Sequence, residues 1–184
     1  MEIKITSKQI LIVLTIISWL IFVGLCIDAG GYITNTIYTL AFKPSLASNY
    51  WTKIDFSNLY NYDAGQFLVE TLFMIIVAVL KAIMFYLIIL NLNSKKLDMA
   101  RPFKKELYQF IQILSFLTFG IGLFSSWGGK YTLWLSQKGI KMPDIQQLNL
   151  SGADVWLFMG VVLLVIAQIF KRGIEIQEEN DLTV

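Results

Sequence analysis

The chain has 184 residues, of which 56% are hydrophobic and only 15% charged, where an ordinary soluble domain carries roughly 25% charge. A net charge of +2 is too small for a nucleic-acid surface, which argues against direct DNA or RNA binding, and a mean hydropathy of +0.62 points to lipid as the solvent. Histidine is absent and cysteine occurs once, at Cys26, so an intrachain disulfide, a histidine-based triad and the usual zinc and haem ligand sets are all excluded.

Four apolar runs approach the about 20 residues needed to cross about 30 Å of hydrocarbon. The first, 9–27, is uncharged and follows Lys4 and Lys8. It is long for a signal-peptide core of roughly 7 to 15 residues, and Asp28-Ala29-Gly30-Gly31 is a poor cleavage site, so the run is expected to be retained as a first helix. Cys26 then reads as a small apolar core residue. The segment 28–66 is expected to be a loop outside the membrane, dense in aromatics: Tyr32, Tyr38, Phe42, Tyr50, Trp51, Phe56, Tyr60 and Tyr62. Such rings anchor at the headgroup level or pack over helix ends, with a binding cap as the sharper alternative.

The second run, 67–92, is interrupted by Glu70 and Lys81 and closes on a loop at 93–106. Lys81 lies about 16 Å in from the loop side of its span, near mid-bilayer, where an ammonium costs at least about 2.5 kcal/mol. It therefore needs an acceptor in the protein interior. Glu70 is about three turns away along the same helix, too far for a direct pair, so the expected partners are Gln112, Ser115 and Thr118 of the third run, or Thr15 and Ser18 of the first. Whether Lys81 serves a structural contact or a ligand stays open at this level.

The third run, 107–129, is uncharged, and Pro102 suits the first turn of its helix, ahead of the apolar part. Gly120 and Gly122 permit close helix packing. The fourth run, 154–170, is short. Ser151-Gly152-Ala153-Asp154 before it has the form of a capping box, and Lys171, Arg172 and Gly173 form an expected helix stop. The tail 171–184 groups Glu175, Glu178, Glu179 and Asp181 and reads either as a strand-forming handle or as a disordered acidic end.

Lys4, Lys8, Lys95, Lys96, Arg101, Lys104, Lys105, Lys171 and Arg172 flank one side of the spans and outnumber Lys43, Lys53, Lys130, Lys138 and Lys141 on the other. By the positive-inside rule both termini are expected in the cytoplasm. The expected fold is all-α, a polytopic membrane protein with four transmembrane helices in a bundle, and its oligomeric state, a homo-oligomer included, stays open. The spans offer too few acids, bases and nucleophiles for catalysis, so no enzyme activity, cofactor or metal is expected.

The stretch from Phe158 to Phe170, running through Lys171-Arg172-Gly173 into Gln177-Glu178-Glu179-Asn180-Asp181-Leu182-Thr183-Val184, closely resembles the ending of the bacterial domain-of-unknown-function 2975 family. Arg101-Pro102-Phe103 is similar to that family's Pro-Phe signature in the loop before the third helix. The resemblance implies a small four-helix protein of a bacterial inner membrane, commonly encoded beside a small helix-turn-helix transcription regulator. A regulatory or sensory role follows as an expectation, with Arg101, Pro102, Phe103, Lys104, Lys105, Lys171, Arg172, Gln177, Glu178, Glu179 and Asp181 as the surface for such a partner. The alternative is a small transporter, channel or lipid or small-molecule binder, with Lys81, Gln112, Ser115 and Thr118 around an intramembrane polar cavity.

Overall fold

The structure, a computed structural model, describes residues 7–94 and 104–181, and these are all-helical. They form α1 (Ser7–Ala41), α2 (Ser57–Tyr62), α3 (Ala64–Asn93), α4 (Lys105–Gln137) and α5 (Ala153–Asp181), with two 3-10 turns, Pro44–Asn49 and Trp51–Lys53, between α1 and α2. The four long helices are long and apolar enough to cross a membrane, as the sequence predicts. Pro102 and its neighbours Arg101 and Phe103 lie outside the described residues.

The helices outrun the expected spans because polar residues that read as helix ends find partners inside helices. α1 passes Ile27 and continues to Ala41. Asp28 accepts a hydrogen bond from Trp51 Nε1 at 3.1 Å, and the side chains of Thr34, Asn35 and Thr36 bond back to the carbonyls of Gly30, Gly31 and Tyr32 at 2.8 to 2.9 Å. The expected loop 28–66 is therefore largely helical. Asp63 caps α3, its carboxylate accepting from the N–H groups of Gly65 and Gln66. α4 runs to Gln137, beyond Gly129.

At α5 the capping box does not form: among the described residues neither the Ser151 nor the Asp154 side chain makes a capping hydrogen bond. The chain turns instead at Gly152 (φ +74°), whose carbonyl accepts from Trp156 N–H at 3.1 Å. Nor does α5 stop at Gly173. It continues to Asp181, helped by an i,i+3 pair between Arg172 and Glu175 at 3.0 Å, so the described part of the tail is neither a strand nor an unstructured end.

The long helices pack antiparallel and in series: α1 on α3, α3 on α4, α4 on α5. Among the described residues no other pair of long helices reaches backbone contact. Small residues set the α4–α5 spacing. A Cβ on Gly122 would stand 2.7 Å from Leu157 Cγ, and one on Gly160 would press on the Phe119 ring. One end of this row, the cap end, carries residues 42–63 and 138–152; the other, the tail end, carries the start of α4 and the end of α5.

The cap has its own core. Tyr32, Tyr50, Phe56 and Phe67 are buried and meet ring to ring, with centroids 5.2 to 6.3 Å apart, while Tyr38, Phe42 and Tyr62 stay exposed. Because Leu157 packs at Gly122, α5 begins about 16 Å short of the cap-side end of α4. The segment 138–152 descends into that notch, burying Ile140, Leu148 and Leu150, the last against Gly128 and Phe73. At its lower end Asn149, Ser151 and Gly152 are exposed, so protein covers this segment only in part.

Candidate functional site

Lys81 stands 12 residues before the end of α3 at Asn93, about 18 Å along the axis. Its Nζ donates to the carbonyl of Asn149 at 3.3 Å and lies 5.6 Å from the centroid of the Trp156 ring. Asn149 can present that carbonyl because it sits in the left-handed region (φ 56°) at the bottom of the descending segment. Its side-chain amide donates to Tyr32 Oη at 2.5 Å. Tyr50 Oη donates to the Tyr32 carbonyl at 2.9 Å and shares a hydrogen bond with Thr36 at 2.8 Å, tying the cap to the same layer. Burial pushes the Tyr50 phenol above its ordinary range, so it stays a neutral donor.

The acceptors expected for Lys81 are elsewhere. Ser115 Oγ donates to Gly160 O on α5 at 2.8 Å, and Thr118 Oγ1 bonds back to Leu114 O and Ser115 O in its own helix. Gln112, half-buried one turn before Ser115, makes no side-chain hydrogen bond among the described residues, and Thr15 bonds to Leu11 O. The structure thus shows, among the described residues, no hydrogen bond from Lys81 to Gln112, Ser115 or Thr118. The partner it supplies instead comes from a segment 68 residues further on.

A second polar element is absent from the sequence-based expectations. Along one face of α4, Ser115, Thr118, Gly122, Ser125, Gly129 and Thr132 recur at alternating three- and four-residue spacing, and all are buried. Thr132 Oγ1 donates to Glu70 Oε1 at 2.6 Å, bringing the buried carboxyl of α3 onto that stripe. The heptad spacing of Thr118, Ser125 and Thr132 is a signal present in the sequence. Its partner Glu70, 62 residues away, carries no such mark.

At the tail end, Lys104 precedes α4 and Lys105 begins it, while Lys171 and Arg172 are exposed on α5. Gln177, Glu178 and Glu179 follow on the same helix, which ends at Asp181. The antiparallel register of α4 and α5 places these basic and acidic groups at one end of the molecule.

The described surface also carries grooves on the cap and between α1 and α3. On the cap, about 420 Å³ is lined by Lys53, Asp55, Lys141 and Asp144 among others. Hydrogen bonds from Ser57 hold the Asp55 carboxyl below the usual carboxylate range, with Lys141 adding a smaller pull. Between α1 and α3, an apolar groove of about 440 Å³ is lined by Phe22, Ala29, Val79 and Tyr86, and by Cys26, which is exposed there and not in the core. It is exposed because α1 has only α3 as a neighbour among the long helices.

No curated protein and no solved structure matches the chain. The family described as "Protein of unknown function (DUF2975)" matches residues 43–184, which include α2, α3, α4, the segment 138–152 and α5. This multi-pass membrane protein, with its four apolar helices, belongs to the DUF2975 family.

Proposed function

We propose that the protein is a membrane sensor or regulator that holds a cytoplasmic partner at its tail end. The observation that carries this reading is the continuity of α5. One uninterrupted helix touches Lys81 through Trp156 in its first turn and ends in an acidic segment beyond Lys171 and Arg172. A change at the Lys81 layer can move that segment as part of a rigid rod. With the tail end in the cytoplasm, Glu175, Glu178 and Glu179 form an acidic helical surface beside the basic start of α4, complementary to a basic partner such as a small helix-turn-helix regulator. Affinity capture from cells tests it. The intact chain is expected to retain a partner that a chain ending at Arg172 loses; equal recovery by both discards the reading.

A second reading, a small transporter, channel or lipid or small-molecule binder, has one observation in its favour. The ammonium of Lys81 has a carbonyl and a ring as its direct neighbours, and Asp28 acts on it through space without an ion pair among the described residues. An anionic ligand would complete such a site. Thermal stabilisation by a short-chain anionic lipid should then be kept by the wild type and lost by Lys81→Met, and an equal response in both would remove this alternative.

A further inference from the structure

Glu70 lies two turns into α3 and is fully buried. Its Oε1 accepts from Thr132 Oγ1 at 2.6 Å, but that hydroxyl is also 3.0 Å from Gly128 O, and one hydrogen serves both acceptors. Its Oε2 has no partner among the described residues. Nor do the described residues around it supply positive charge. From α4, Tyr131 donates its phenol to Gln66, and Lys130 is exposed. Past Gln137, Lys138 covers the Trp134 ring. On the α3 side, Asp63 is committed to the cap of its own helix. From Ala29 to Ala41, the part of α1 beside the start of α3, the chain has no charged residue, only the phenols of Tyr32 and Tyr38. From α2 comes Tyr60, whose ring meets Phe67 edge to face. In the descending segment Lys141 and Asp144 line the cap groove with Lys53 and Asp55.

A fully buried carboxylate with one bare oxygen and no cation costs far more than a fold of this size can absorb, so the site needs a neutralising charge. We propose that Glu70 is the ligand of a small monovalent cation, a proton or sodium, bound between α3 and α4. Two further buried hydroxyls share its condition. Ser125 Oγ, on the same face of α4 as Thr132 and two turns away, and Thr39 Oγ1 on α1 are likewise buried without partners. The three unpartnered oxygens belong to the three consecutive members of the helix row. Uptake or release of the cation changes the charge held between α3 and α4. This site is independent of the partner proposed for the tail end.

The test is the melting temperature of the purified full chain in lipid nanodiscs, measured in two series. One varies pH in choline chloride, and the other varies sodium against choline at fixed pH and ionic strength. The wild type is expected to shift by about 3 °C or more across at least one series, and Glu70→Gln to be flat in both. A response to pH alone identifies the proton, and a response to sodium at fixed pH identifies sodium. Thr132→Val, which removes the donor to Oε1, is expected to displace the midpoint of the responding series by about threefold or more in cation concentration. Should Glu70→Gln fail to fold, the midpoint in Thr132→Val decides between the outcomes. A wild type flat in both series, a Glu70→Gln variant that follows the wild type, or an unmoved midpoint in Thr132→Val overturns the proposal.

Discussion

α1 and α4 are of similar length, 35 and 33 residues, and nearly opposite in design. In the most apolar stretch of α1 6% of the residues are buried, against 28% in that of α4, although α4 is the less apolar helix. The more hydrophobic helix is therefore the one turned outward. In water that order would be inverted. In lipid it follows from the solvent: apolar side chains gain little by leaving the acyl chains, so helix contacts go to small and hydroxylated residues that pack closely and bond to one another. Ser115, Ser125 and Thr132 of α4 sit in the interior, while Leu20 of α1 is 71% exposed.

The cap departs from both helices, since Phe56 and Phe67 are fully buried in a ring cluster of the kind a soluble domain builds. If this contrast is sound, the largest loss should come from Phe67→Ala, about 3–5 kcal/mol by the measure of aromatic truncation in water-soluble cores. Thermal unfolding in nanodiscs reads it, and a loss near zero would mean the cap is not a packed core. Tyr50→Phe keeps the ring and removes the hydroxyl that serves Tyr32 O and Thr36, with an expected cost of about 1–2 kcal/mol in the same assay. Leu20→Ala should change stability by no more than about 0.5 kcal/mol, and a larger loss would show that α1 is covered by protein at that position.

The crossings are legible in the sequence because uncharged apolar runs of the required length match the thickness of a bilayer and exceed what a small soluble core can bury. Their ends are not, since Asp28, Thr34, Asn35 and Thr36 read as loop residues until Trp51 and the carbonyls of the preceding turn are seen to satisfy them. The same limit applies to the sites. Lys81 is identifiable as a cation needing an acceptor, but the sequence points to hydroxyls of a neighbouring span. The acceptor is a backbone carbonyl at Asn149, a group every residue carries and no pattern marks. Glu70 reads as a mere interruption of its run because its partner Thr132 becomes a neighbour only when α4 lies beside α3.

The notch at the start of α5 gives the two flanks of the row different lengths. From Ala153 to Lys171 the α5 flank offers lipid an apolar face about 27 Å tall, whereas α1 runs about 50 Å from Gln9 to Ala41 and carries Asp28, Thr34, Asn35, Thr36 and Thr39 in its second half. A hydrocarbon layer of about 30 Å meets the first almost without adjustment, and on the second it matches the uncharged run 9–27 and leaves the polar half of the helix to the cap side. The two flanks therefore offer lipid apolar faces of nearly equal height, and the extra length of α1 rises beside the cap, outside the hydrocarbon.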